Sequence, residues 1–269
     1  MDGLEISPWR IDQLLRPLFR KFSKVGDKVY FSNNEFSITK DLEANFDVIR
    51  SELDHIMKRI DDLTPFQEIS PDQQYISNDD KWKMFFLKAG TVRFERNCLE
   101  CPKTMEILDK NKQIVSAYFS VLGPNKMLMP HEGPWCGVIR IHLGLIIPKD
   151  GNGCTLVVNG IPYQWKEGKC VVFDDTYEHI AVNETNETRV VLFLDYMRPL
   201  PFWLSWVNWL VVRAAKRNSN LSNSSYVTLE DEKHSVYIFE EGELVWESKA
   251  VKSVGADKVF KHISQAVGV

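Results

Sequence analysis

The sequence predicts a mainly β protein with flanking helices, an α+β chain whose core is a sandwich or an eight-stranded jelly roll. Three observations carry this. From residue 114 onward apolar residues recur with a period of two over short runs, the spacing of half-buried strands. Tight turns separate the runs, and Asn159-Gly160 is the residue pair of a type I′ hairpin. Before and after that region the period lengthens to that of amphipathic helices. A chain of 269 residues can bury one sizeable core with an appendage.

Residues 7–22 read as a helix. Ser7 can cap it, Pro8 suits its first turn, and Ile11, Leu14, Leu15, Leu18 and Phe22 recur at helical spacing, with Pro17 expected to kink it. Arg10, Arg16, Arg20 and Lys21 make it basic, so it either packs on the body or lies on an anionic membrane. A second helix is expected over 41–60, with Leu42, Phe46, Ile49, Leu53, Ile56 and Ile60 on one stripe. Residues 1–80 are thus a helical region packed on the barrel. The core, 81–200, opens with a strand at Trp82–Leu87 and a short helix from Cys101 to Leu108. Strands follow at 114–121, 136–147, 154–158, 161–165, 169–173, 179–183 and 188–196, and Pro199 and Pro201 close the region.

Residues 201–217 form a Trp-rich amphipathic helix. Trp203, Trp206 and Trp209 share a side next to Arg213, Lys216 and Arg217, and the run is short of the ~20 apolar residues that cross a bilayer. Such a helix suits either a membrane interface or a cover for the barrel. Residues 218–225 have linker composition, and 226–269 read as a small β-hairpin and helix unit turning near Glu241-Gly242.

The formal net charge of −4 gives no electrostatic reason to expect nucleic acid. The five cysteines are scattered, and Cys98-Leu-Glu-Cys101 lacks a second pair, so reduced thiols are expected and not a zinc site. No apolar leader is visible, which makes the cytoplasm the expected compartment. The sequons at Asn183, Asn186, Asn220 and Asn223 are then polar surface.

Chemistry concentrates in two segments. In the first, His131 sits between Pro130 and Gly133, and Arg140 and His142 lie two apart on a strand and share a face. In the second, Phe173-Asp174-Asp175-Thr176-Tyr177-Glu178-His179 is followed by Arg189, ten residues after its histidine. Histidines and arginines in so apolar a setting are costly to bury unless something charged meets them. Imidazoles suit Fe(II), and two histidines with one carboxylate are the usual ligand set of non-haem oxygenases. Arg140, His142 and Arg189 would supply cations for a dicarboxylate co-substrate. Spacing alone admits a cupin-like binding module or another metal as well.

The segments Pro130-His131-Glu132-Gly133-Pro134, Arg140-Ile141-His142-Leu143-Gly144-Leu145, Glu167-Gly168-Lys169, Phe173 to His179 and Arg189 to Asp195 resemble the aspartyl/asparaginyl β-hydroxylase family. The likeness runs from about Trp82 to Pro199, reaches faintly into 41–60, and leaves 218–269 uncovered. It implies a double-stranded β-helix, the cupin-like jelly roll, and a dioxygenase dependent on Fe(II), 2-oxoglutarate and O2. It implies that His131 and His179 ligate iron and that Ser120 and Arg189 hold the distal carboxylate of 2-oxoglutarate. Arg140 and His142 would approach the metal-binding end. Asp174, Asp175 and Tyr177 would be turn and supporting groups that orient His179.

Gly133 stands where commoner oxygenases carry their third ligand, a carboxylate. The family's peptidyl hydroxylases lack it likewise, with water completing the shell, whereas the branch that hydroxylates lipid A or ornithine-lipid acyl chains has Asp there. The flanks look like that lipid branch, in Cys101-Pro102-Lys103-Thr104, Val171-Val172-Phe173-Asp174 and the Arg198-Pro199-Leu200 exit. The implied reaction decarboxylates 2-oxoglutarate to succinate and hydroxylates an unactivated C–H. The favoured substrate is a membrane-proximal lipid acyl chain, with 7–22 and 202–212 holding the protein peripherally on the cytoplasmic membrane face. The alternatives are a peptidyl aspartyl/asparaginyl β-hydroxylase, a halogenase using the position open at Gly133, and a non-catalytic ligand-binding barrel.

Overall fold

The computed structural model describes residues 8–69, 75–90, 92–149, 153–218, 236–240 and 243–248. Two antiparallel sheets form its centre. The larger has the strand order β1 (Tyr30–Phe31), β10 (Cys170–Phe173), β7 (Val138–Ile146), β12 (Arg189–Met197), β5 (Ile114–Leu122), β3 (Trp82–Ala89) and β2 (Thr64–Pro65), with β4 (Val92–Arg93) also on β3. The smaller runs β6 (Lys126–His131), β11 (His179–Asn183), β8 (Cys154–Val158), β9 (Ile161–Gln164). This is a jelly roll with helices on one side, as the period-two runs require.

Alternation along each strand of the larger sheet divides its residues between two cores. Phe119 and Val121 of β5, Ile139, Ile141 and Leu143 of β7, and Val190, Leu192 and Leu194 of β12 face outward. They pack on Ile38 and Leu42 of α2 (Ser37–Ala44), Ile49 and Leu53 of α3 (Phe46–Met57), and residues of α5 (Glu95–Glu100) and α6 (Pro102–Asp109). Their strand neighbours Tyr118, Leu122, Val191 and Phe193 face inward and meet Leu128, Leu156, Val158 and Ala181 of the smaller sheet. Phe66, on the one-turn α4 (Phe66–Ile69), closes this inner core by stacking on Trp82 at 3.9 Å.

The single helix expected over 41–60 is two helices, and it starts earlier. Asn45 Nδ2 donates to the Asp41 carbonyl at 2.8 Å, satisfying an end-of-helix acceptor, and the chain restarts at Phe46. Leu42 before the break and Ile49 after it both pack in the outer core. Helix α1 (Pro8–Lys21) runs through Pro17, and α7 (Phe202–Asn218) follows the second proline of the exit. Phe19 of α1, Cys136, Leu200 and Leu204 of α7 share a small core of their own. All five cysteines are buried free thiols. Strands β13 (Val236–Glu240) and β14 (Glu243–Ser248) pair with each other. The expected linker after Asn218, the turn at Glu241-Gly242 and the helix over 256–267 lie outside the described residues.

Arg198 and Asp174, both fully buried, join the barrel exit to the loop before β11. Arg198 Nη2 meets Asp174 Oδ2 at 2.5 Å and its Nε donates to the Cys136 carbonyl at 2.5 Å. Asp174 Oδ1 also accepts from the Thr176 amide and hydroxyl. These bonds offset much of the cost of burying the two charges, while Arg198 Nη1 is left without a partner among the described residues.

Candidate active site

His131 and His179 are paired residues on neighbouring strands of the smaller sheet, their ring centroids 4.2 Å apart. A bulge brings this about. Between His179 and Ala181, two steps along β11, the β6 partner moves three, from His131 to Leu128. Leu128 faces inward, so strict alternation would turn His131 outward, and the extra residue re-aims it into the cavity. Pro130, which cannot donate to a ladder, sits in that irregular stretch. His131, beside the turn-forming Gly133, is thus the last residue of strand β6.

Each ring is held by its Nδ1, 2.7 Å from the Met129 carbonyl for His131 and 2.9 Å from the Tyr177 carbonyl for His179. A carbonyl only accepts, so Nδ1 carries the proton and the lone pair lies on Nε2. Backbone carbonyls fix tautomer and orientation in this way for metal-ligating histidines. Burial, with His131 and Arg140 adding to it, keeps His179 well below the usual histidine range and neutral. Two imidazoles side by side, each oriented through its Nδ1, fit a divalent transition-metal ion. Among the described residues no third His, Cys, Asp or Glu completes a ligand cluster with them.

Both histidines line a cavity of about 290 Å³ between the sheets, together with Ser120, Arg140, His142 and Arg189. Their sharing of one wall follows from register. His142 lies opposite Phe193 and Arg140 opposite Asp195, while Ser120 lies opposite Val191, two residues from Arg189. Arg189 is 2% exposed and no carboxylate pairs with it among the described residues. Its Nη1 reaches the Ser120 carbonyl at a long 3.5 Å, its guanidinium lies 4.7 Å from the Trp165 ring, and its Nε has no partner. Burial lowers its pKa to about 10. Neither ring nitrogen of His142 has a partner, and burial with the charges of Arg189 and Arg140 holds it well below the usual range. Ser120 Oγ accepts from Trp82 Nε1 at 3.0 Å, so its own proton is left to donate. Buried donors in this state cost about 1–3 kcal/mol each until a ligand accepts from them. An anion with several acceptor oxygens is the matching ligand.

Arg140 is different. Its Nη2 pairs with Asp175 at 2.8 Å and Asp195 at 3.1 Å, and its guanidinium lies 4.2 Å from the Phe193 ring. Its charge is matched from within the protein.

Asp175 explains Gly133. A Cβ on Gly133 would stand 1.9 Å from Asp175 Oδ2, so this carboxylate fills the volume a side chain at 133 would need. The Gly133 amide donates to the Asp175 carbonyl at 2.7 Å, locking the two loops together. Burial pushes the Asp175 carboxyl up to about 7, against the opposing pull of Arg140. Neither Asp174 nor Asp175 orients the His179 ring, because Asp174 serves Arg198 and Asp175 serves Arg140. Tyr177 does orient it, through its backbone, while its hydroxyl donates to Asp27. Gly133→Ala is expected to destabilise the fold by about 1–3 kcal/mol, the usual cost of overpacking. Adding Asp175→Ala should recover part of that loss in denaturant unfolding, and a neutral single variant would contradict the juxtaposition.

Sequence reasoning missed Asp195, Tyr118 and the apolar wall of Phe66, Ile69 and Ile76, all of which line the cavity. The inward parity of Tyr118 and Asp195 with Ser120 and Arg189 was the available signal. Nothing local marks the 66–76 stretch.

The family model described as Aspartyl/Asparaginyl beta-hydroxylase matches residues 43–199. Ornithine lipid ester-linked acyl 2-hydroxylase of Rhizobium tropici is 39% identical over 195 residues, 72% of this chain and 69% of that protein. Aspartate beta-hydroxylase domain-containing protein 2 of Homo sapiens is 36% identical over 170 residues, 59% of this chain and 44% of that protein. Aspartyl/asparaginyl beta-hydroxylase of Homo sapiens is 29% identical over 167 residues, 60% of this chain and 21% of that protein. The chain thus spans less than half the length of these two human relatives.

Proposed function

Because the chain belongs to the aspartyl/asparaginyl β-hydroxylase family, we propose that it is an Fe(II)- and 2-oxoglutarate-dependent dioxygenase that hydroxylates an unactivated C–H, with a lipid acyl chain as substrate. One observation carries the reading. Two tautomer-fixed histidines and an uncompensated buried arginine open onto the same cavity, a cation site and an anion site within one enclosure.

His131 and His179 would hold the iron through Nε2. Bound iron, with the keto acid and O2, supplies the oxidising power that no side chain possesses. The chain's own residues do the rest. Arg189 and the Ser120 hydroxyl take the distal carboxylate of 2-oxoglutarate, which neutralises the buried guanidinium. Neutral His142, between Arg189 and Arg140, offers an N–H to the end nearer the metal. Asp175 and Asp195 hold the Arg140 guanidinium on Phe193. Phe66, Ile69, Ile76, Trp82 and Leu128 give the cavity an apolar wall that excludes water and receives a hydrocarbon segment.

That wall and the likeness to the bacterial acyl hydroxylase support the acyl substrate. The glycine at 133 supports peptidyl aspartyl/asparaginyl hydroxylation as the second reading. A halide beside Gly133 is disfavoured, since the Asp175 carboxylate already occupies that side. The discriminating assay supplies iron, ascorbate and 2-oxoglutarate with an ornithine lipid or, in parallel, an Asp-containing peptide. Mass spectrometry is expected to find one added oxygen on the acyl chain, matched by succinate. Oxygen added only to the peptide would transfer the assignment, and no succinate with either substrate would refute it.

A further inference from the structure

We propose that α1 and α7 together form a surface that docks the protein on an anionic lipid bilayer. Each helix buries one side and exposes an apolar stripe. On α7, Phe202, Trp203, Trp206, Trp209, Leu210 and Arg213 fall within about one third of the helix circumference. All six are exposed, Phe202 at 86% and Trp206 at 63%, while Leu204 and Asn208 on the opposite side are buried. On α1 and just beyond it, Leu14, at 74%, Leu18 and Phe22 are exposed, and Asp12 and Phe19 opposite are fully buried. Phe22 meets Trp203 edge to face at 5.5 Å, so the two stripes run into one patch.

Charge selects the occupant. The chain as a whole is acidic, at −4, yet these two helices contain one acid between them, Asp12. That acid is consumed internally by Arg16 and the Cys136 amide. The cations stand at the edges of the aromatic patch, with Lys21 Nζ 5.7 Å from the Phe22 ring and the Arg213 guanidinium 5.0 Å from the Trp209 ring. Tryptophans beside cations are the composition of a membrane interface, where the indole sits among headgroups and the cation meets lipid phosphate. No helix among the described residues is long and apolar enough to cross a membrane, so the patch lies on the bilayer. The other side of α1 touches the loops that adjoin the two histidines, after β6 and before β11. Arg16 reaches Glu132 at 2.9 Å, and Arg20 reaches the Thr176 hydroxyl at 3.1 Å. The docking face is therefore one helix away from the cavity.

Sedimentation of the full chain with vesicles of phosphatidylglycerol and phosphatidylcholine, against phosphatidylcholine alone, reads the proposal without turnover. The protein is expected to pellet with the anionic vesicles at low salt and to leave them at high salt. The double variant Trp206→Ser, Trp209→Ser should bind at least about tenfold more weakly, with its unfolding midpoint unchanged. Lys21→Gln and Arg213→Gln should each cost about fivefold. Absence of binding to anionic vesicles at low salt would overturn the proposal, as would undiminished binding by the double variant. A concentration-dependent dimer abolished by the same double variant would assign the face to a second copy of the chain instead. None of these failures touches succinate formation in solution, which tests the catalytic reading separately.

Discussion

Replacing Arg189 with methionine is expected to weaken 2-oxoglutarate binding by about thirtyfold to several thousandfold while raising, not lowering, the thermal stability of the ligand-free protein. The first part follows from losing one member of a desolvated charge pair, worth about 2–5 kcal/mol. The second follows from what surrounds the guanidinium before the ligand arrives. It has a carbonyl at 3.5 Å, a thiol and an indole face, and no carboxylate among the described residues. A buried charge so poorly matched costs several kcal/mol, and an apolar side chain of similar volume removes that cost. Isothermal titration with 2-oxoglutarate and a melting curve of the same sample check both signs. Unchanged affinity would mean that the cavity holds its anion elsewhere.

His131→Ala should abolish turnover, by at least about a thousandfold, if His131 is a ligand of the proposed metal, which would supply several kcal/mol of the rate enhancement. The fold should survive, since His131 is the last residue of its strand and its removal leaves the rest of the β6–β11 ladder in place. Metal content after anaerobic loading with Fe(II) separates this from unfolding. The variant is expected to lose bound iron while keeping a cooperative melt. Retained iron and retained turnover would revive the reading of a barrel whose histidines are merely packed.

Parity was the legible part of the site. Arg140 and His142 stand two apart between Ile139, Ile141 and Leu143, so one pleat sends the apolar residues to the helices and the polar ones to the cavity. Ser120 and Arg189 follow the same rule. The fold was legible for the same reason, because the period-two runs from 114 onward became the strands of both sheets. Strand β6 was not legible. Pro130 and Gly133 beside a histidine carry the signature of a turn, and only pairing with β11 makes Lys126–His131 a strand, with a bulge that period arguments cannot show. The relation of Asp175 to Gly133 was hidden too, because a glycine that is small for the sake of a side chain 42 residues away leaves no local mark. The break at Asn45 was hidden by an apolar stripe that continues across it.

The most direct test of the central claim, that one cavity joins a histidine-held metal to an Arg189-held keto acid, is an anaerobic titration of the metal-free protein followed by visible absorption. Adding Fe(II) and then 2-oxoglutarate should raise the charge-transfer band of a chelated keto acid, saturating at one equivalent of each. His131→Ala should remove the band, and Arg189→Met should shift its appearance to far higher 2-oxoglutarate concentration. A folded wild-type protein that binds iron at other residues, or that takes up iron and shows no band with excess 2-oxoglutarate, would contradict it.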